Sequence, residues 1–202
     1  MRTSPRERRC RPLASAVLRG FTLVELMVTL AVVVVLLRIC VPGFRSIQRN
    51  SELTSAANGL LASINAARTE AMKRNLRAAV VPADGSSWAG GWVVYVDIDG
   101  SDGFNAAKDL VVSTQPALAS YFSMSGNNTA AGRSPYILFN GSGYPVTKDS
   151  APTSLSVAIA RNDLADDPSR EQTRRVVLSK TGRVRVCKPA SSSDSGCSSA
   201  SN

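Results

Sequence analysis

Histidine is absent from the 202-residue chain. That removes the side chain most often used as a general base near neutral pH and the commonest nitrogen ligand for metals. His-dependent triads and His-type zinc sites are therefore excluded. Aromatic residues are sparse at 5%, and much of the 44% hydrophobic content is Val, Ala and Leu. No G-x-S-x-G motif is present to activate any of the many serines. With no catalytic set to name, the chain does not read as an enzyme, and nothing in it calls for a cofactor. Negative charge is also scarce: 15 acidic residues stand against 24 basic ones, a formal net charge of +9. The length allows one domain and an anchor, with no internal repeat.

The positive charge sits at the two ends. Residues 1–20 hold Arg2, Arg6, Arg8, Arg9, Arg11 and Arg19 against Glu7, a net of +5. Residues 170–188 hold Arg170, Arg174, Arg175, Lys180, Arg183, Arg185 and Lys188 against Glu171, a net of +6, and everything between and beyond sums to −2. The four cysteines also sort by position: Cys10 in the basic leader, Cys40 late in an apolar run, and Cys187 and Cys197 around the polar loop KPASSSDSG. If the C-terminal part lies outside the cytoplasm, a Cys187–Cys197 disulfide is expected; the alternative is a pair of free thiols in a tail.

From Phe21 to Val41 the sequence is apolar apart from Thr22, Glu25, Thr29 and Arg38. A helix of that length spans roughly 32 Å, about one hydrocarbon core. The preceding arginines mark the cytoplasmic side. A cleaved secretory signal would end in a small-residue site after its apolar region; here the small residue, Gly20, stands before it. Glu25 is out of place in such a run, since an ionisable group inside a membrane costs at least ~2.5 kcal/mol. One reading is a first-turn carboxylate that favours the helix dipole; the other needs a partner for the charge. Arg38 lies about 26 Å along the helix from Phe21, far enough to snorkel to the opposite face.

Pro42 and Gly43 in VPGF predict a break. Beyond it Leu53, Ala57, Leu60, Ile64, Ala67 and Ala71 recur at the helical period, so an amphipathic helix is expected to about Arg74. Strands are expected at 77–81, 91–97, 109–113, 136–140, 155–160, 174–179 and 183–187, separated by Gly, Pro, Ser, Asp and Asn clusters. The last two are joined through KTG, with Gly182 available for positive φ. A long helix followed by strands predicts an α+β fold with the helix packed on antiparallel sheets. In DIDGSDG, Asp97 and Asp99 suit an EF-hand loop. Ser101 stands at the fifth place, however, Gly103 is one late and Lys108 replaces the closing Glu, so an acidic turn is the better reading.

The leader ending in Gly20, with Phe21 after it, Glu25 as fifth residue of the remaining chain and a long apolar helix containing Pro42, resembles the class III signal of type IV pilins and type II secretion pseudopilins. The stretches INAARTEAMKRN and GWVVYVD are similar to the GspH/FimT group of minor pilins. The resemblance implies a pilin-like fold and four segments: a cleaved leader (1–20), a transmembrane and assembly helix (21–42), a periplasmic α+β domain (43–188) and a flexible Ser-rich tail (189–202). It implies that a prepilin peptidase cuts between Gly20 and Phe21 and methylates the new amine of Phe21. Glu25 is then an assembly residue that pairs with the N-terminus of a neighbouring pilin, a directional contact in low dielectric. The protein would sit in the inner membrane with one pass and pass into a pilus at the cell surface.

In GRVRVC, Arg183 and Arg185 alternate with valines, which on a strand places both guanidinium groups on one face about 6.6 Å apart. Neighbouring phosphates of one DNA strand are separated by a similar distance. GRVR also resembles the G-R-x-R motif of FimT proteins, minor pilins that bind DNA during natural transformation. Carried over, Gly182 is the turn and Arg183 and Arg185 bind phosphate, with Lys180 and Lys188 adding charge. The alternatives are a solvated edge strand protected by charge and, for the whole chain, a structural type II secretion pseudopilin or pilus-priming subunit without a nucleic-acid role. Replacing Gly20 by a bulky residue should leave an unprocessed precursor in the inner membrane; mass spectrometry that finds residues 1–20 removed as usual would refute the leader assignment.

Overall fold

A computed structural model describes residues 20–163, 172–190 and 194–197, with the side chains of 39–43 and 195 outside the description. The chain divides into two compact units, Met1–Phe44 and Arg45–Asn202, and one helix, α1 (Leu23–Arg74, 52 residues), contributes to both. At its start Thr22 Oγ accepts from the Glu25 N–H at 3.2 Å. Thr22 is thus the N-cap, and Glu25 stands in the first turn, where the dipole favours a carboxylate. Among the described residues no helix is long and apolar enough to cross a membrane; the expected span of 21–42 runs into side chains outside those described.

The break expected at residues 41–44 does not end the helix, which continues through Pro42 and Gly43. An interior proline removes one hydrogen bond and costs about 3 kcal/mol. The hydrogen-bonded turns on either side outweigh that local loss.

In the second unit the predicted stripe is fully covered: Leu53, Ala57, Leu60, Ile64, Ala67 and Ala71 are each 0% exposed. Among the described residues nine strands follow: β1 (Arg77–Pro82), β2 (Trp92–Asp97), β3 (Leu110–Gln115), β4 (Phe122–Gly126), β5 (Ile137–Phe139), β6 (Pro145–Val146), β7 (Leu155–Arg161), β8 (Thr173–Leu178) and β9 (Val184–Cys187). They form two antiparallel sheets, ordered β3-β2-β1-β5-β6 and β4-β7-β8-β9. The inner residues of the first sheet (Val80, Trp92, Val94, Phe139) and of the second (Val157, Ile159, Val176, Leu178) join the α1 stripe in one core. Two indoles are fixed by hydrogen bonds as well as by burial: Trp92 Nε1 donates to Ser63 Oγ on α1 at 2.8 Å, and Trp88 Nε1 to the Ala130 carbonyl at 2.9 Å.

The other face of the first sheet carries a smaller cluster of Ala79, Tyr95, Leu138 and Val146. Phe104, on the loop after β2, stands against Tyr95 with ring centroids 5.0 Å apart. That loop is stapled by its own carboxylates. Asp97 accepts from the N–H groups of Gly100, Ser101 and Asp102, and Asp109 from those of Ile98 and Asn105. The carboxylates of Asp97, Asp99 and Asp109 lie within 4.8 Å of one another. Both oxygens of Asp97 and of Asp109 already accept from backbone N–H, the geometry of an acidic turn.

The end of β7 is clamped to the helix. Arg161, 5% exposed, donates to Asp163 through Nε at 3.0 Å and Nη2 at 2.8 Å. Arg49 on α1 also bonds Asp163 and stands 4.6 Å over the Tyr121 ring, whose hydroxyl donates to Glu52. The Arg161 contact first, and then that of Arg49, holds the Asp163 carboxyl far below the usual carboxylate range. A depressed carboxyl contributes stability that is complete above its unfolded pKa of about 3.9 and fades as pH falls toward the folded value. Asp163→Asn should therefore destabilise the fold at neutral pH, with a deficit against the natural chain that narrows steadily below about pH 4. Urea unfolding at several pH values measures this; a deficit that stays constant into strong acid would show that the charge of Asp163 does not contribute.

Candidate nucleic-acid interface

The basic C-terminal segment forms a hairpin at the edge of the second sheet, because among the described residues β9 pairs with β8 alone. The register sets Arg175 opposite Cys187, Val177 opposite Arg185 and Leu178 opposite Val184. Val184 and Val186 pack against the main core. Arg185 is consequently on the outer face, as the alternation predicts, and is half-buried. The expected strand at 183–187 begins one residue late. Arg183 belongs to the turn, where its carbonyl accepts from Ser179 N at 3.0 Å and its own N–H donates to Ser179 Oγ at 3.2 Å. Arg183, Lys180 and Lys188 are exposed.

Gly182 is required at this turn for two reasons. Its φ is +82°, and a Cβ there would stand 2.7 Å from the Gly143 carbonyl oxygen and 3.1 Å from the Arg68 guanidinium. Arg68, on α1, donates from Nε to the Gly143 carbonyl and from Nη1 to the Gly182 carbonyl, each at 3.0 Å. One guanidinium thus holds the turn of the basic hairpin to the turn between β5 and β6. Nothing in the local sequence separates Arg68 from the other cations of α1, since its partners lie 75 and 114 residues away.

Two other arginines of the segment are committed to structure. Arg174 donates to the Thr173 carbonyl at 3.0 Å and to Asn50 Oδ1 at 3.3 Å, and Arg175 to the Cys197 carbonyl at 2.8 Å. Arg170 and Glu171 lie outside the described residues. The other basic residues of the hairpin are Lys180, Arg183, Arg185 and Lys188, and of these Arg185 and Lys188 also engage partners. Cys187 and Cys197 are joined, with Cα atoms 5.9 Å apart, and Cys197 is 2% exposed. Asp194 closes this loop by accepting from Ala190 N at 2.8 Å and Gly196 N at 2.9 Å, contacts that hold its carboxyl below the usual range. Residues 189–190 and 194–197 are thereby tied within the tail expected to be flexible, and 191–193 and 198–202 lie outside the described residues.

The other predicted site residues are elsewhere. Gly20, Phe21 and Glu25 lie at and just before the start of α1, all exposed, and Arg38 is exposed farther along it.

Residues 56–182 match the family model described as type II transport protein GspH, and residues 19–37 match the prokaryotic N-terminal methylation motif. No curated protein matches the chain. Among solved structures, a crystal form of the Pseudomonas aeruginosa type IV minor pilin FimU superposes with a TM-score of 0.51 at 21% identity, covering 67% of this chain and 92% of that one. A second FimU crystal form gives 0.49 at 21% identity, over 68% and 89%. The minor pseudopilin EpsH of the Vibrio cholerae type 2 secretion system gives 0.49 at 13% identity, over 69% and 99%. With a long N-terminal helix packed on two antiparallel sheets, and with a family model that takes in more than half of its length, the chain belongs to the GspH family of pilin-like proteins and carries the N-terminal methylation motif.

Proposed function

We propose that the protein is a minor type IV pilin that binds double-stranded DNA through the β8–β9 hairpin and aids DNA uptake in natural transformation. The observation that carries this reading is the exposed turn. Lys180 and Arg183 stand at the tip of an edge hairpin, Lys188 lies beyond β9, and Arg68 fixes the turn to the body of the domain. A fixed turn presents its cations to phosphates at less entropic cost than a loose one. Phosphate contacts carry no sequence information, so binding is non-specific. The rest of the proposal follows the methylation motif: cleavage between Gly20 and Phe21 by a prepilin peptidase, methylation of Phe21, a single-pass inner-membrane anchor with the domain in the periplasm, and pairing of Glu25 during assembly with other pilins.

The family description, a type II transport protein, favours a second reading: a structural pseudopilin with no nucleic-acid role. The two diverge at the hairpin alone. With three to four phosphates neutralised, log K for a DNA duplex should fall against log salt with a slope of about −3 to −4. A single patch of this size binds weakly, and copies along a filament add avidity. Arg183→Gln with Arg185→Gln should weaken binding to all sequences alike and flatten the slope by about two units. Fluorescence anisotropy on the full chain in micelles, with a circular dichroism melt of the variant, measures both. A folded double variant that binds DNA and transforms cells as the natural chain does would leave the pseudopilin reading in place.

A further inference from the structure

The outer face of the second sheet is not bare where the basic hairpin ends. Alternation sends Val184 and Val186 into the core, so Arg185 and Cys187 of β9 face outward. The register sets Cys187 opposite Arg175 of β8, and Arg185 opposite Val177, so these four residues share one patch. The C-terminal turn 194–197 lies against that patch at two points. Cys197 is bonded to Cys187, and its carbonyl accepts from Arg175 Nη1 at 2.8 Å. The patch is covered: Val177 is 4% and Cys197 2% exposed. Asp194 adds a carboxylate to the same turn. Its backbone bonds to Ala190, Gly196 and Cys197 hold the carboxyl below its usual range, and the Arg175 charge acts on it in the same direction.

Arg175 is thus withheld from phosphate. Its guanidinium is engaged in a charge-assisted bond to a carbonyl, and an incoming anion would meet the Asp194 carboxylate nearby. The disulfide is what keeps the turn in place. Between the two cysteines, KPASSSDSG offers only Pro189 and Ala190 as apolar residues, too little to keep such a segment docked without a tether. We propose that the disulfide-tied turn is an autoinhibitory cover on the basic hairpin. With the Cys187–Cys197 bond intact Arg175 is occupied; with the bond open the turn leaves, and Arg175 joins the cations that meet DNA phosphates. The inference rests on the DNA-binding reading of the hairpin and adds a regulation to it. A dithiol is the class of reagent that opens the cover. Two electrons and two protons pass to the sulfurs of Cys187 and Cys197, and the dithiol closes into its own disulfide.

The test is fluorescence anisotropy of a short DNA duplex with the full chain in micelles, before and after dithiothreitol, across a salt series. Opening the bond should tighten binding roughly 3- to 10-fold near 0.1 M salt and steepen the salt slope by about one unit, the worth of one more neutralised phosphate. Cys187→Ser with Cys197→Ser should show the same gain without reductant, and it leaves Cys10 and Cys40 untouched. A chain ending at Ala190 serves in its place if that variant does not fold. Arg175→Gln reads the mechanism: it should change affinity less than about twofold in the tied chain and cancel the gain in the opened one. Binding seen only after opening, and lost again with Arg175→Gln, also supports the cover. No gain on opening, in a tied chain that binds DNA, overturns the cover and leaves the hairpin reading in place. A gain that survives Arg175→Gln overturns it as well. Absence of binding in both forms removes the hairpin reading and the cover with it.

Discussion

Leu53, Ala57, Leu60, Ile64, Ala67 and Ala71 form a single stripe on α1, and both sheets are covered by that stripe or by one another. Half of these residues are alanine. Small side chains let strands approach a helix closely, and they leave space for Trp92, Phe139 and Ile159 to fill the core from the sheet side. The arrangement makes each sheet depend on the other for a dry interior. Truncating a large member of such a core costs about 2–5 kcal/mol, since the surroundings relax only in part. The loops and the hairpin are positioned by what the stripe holds in place.

Arg68 extends the same logic into polar contacts. It is one residue from Ala67 of the stripe, so its backbone is fixed by the core, while its guanidinium bonds two carbonyls in two different turns. Gly143 and Gly182 both have positive φ, and both are close enough to the Arg68 side chain that a Cβ would crowd it. Two glycines and one arginine thus determine where the basic hairpin ends. Charge-assisted bonds to backbone carbonyls are among the stronger hydrogen bonds, which suits a contact that must hold a turn against its own entropy.

What the sequence made legible was local in origin. The stripe and seven of the strands follow from periods of 3.6 and 2, and the observed ends differ from those expected by two residues at most. The two strands that were not legible, β4 and β6, lack such a pattern: FSMSG is rich in Ser and Gly, and Pro145–Val146 is two residues long. Both exist because a neighbouring strand pairs with them, β7 and β5 respectively. The break at Pro42 was misread for the opposite reason, a local rule overruled by long flanking helix. In the candidate interface, the outward face of Arg185 was legible from alternation, whereas Arg183, expected beside it on the strand, belongs to the turn that precedes β9. The structural engagement of Arg174 and Arg175 was not, since Asn50 and Cys197 lie far along the chain.

The burial of β2 on both faces has a further consequence. Every residue of WVVYVD is buried, although alternation alone would leave one side to solvent. The loop after β2 folds back over that side, and it can do so because Asp97 and Asp109 satisfy five of its backbone N–H groups without help from any other element. The acidic turn is therefore what keeps Phe104 against Tyr95. The domain separates its charges accordingly. Carboxylates gather where a loop must be held over the first sheet, and exposed cations gather where the second sheet ends in a hairpin. A net charge of +9 read from composition describes neither region.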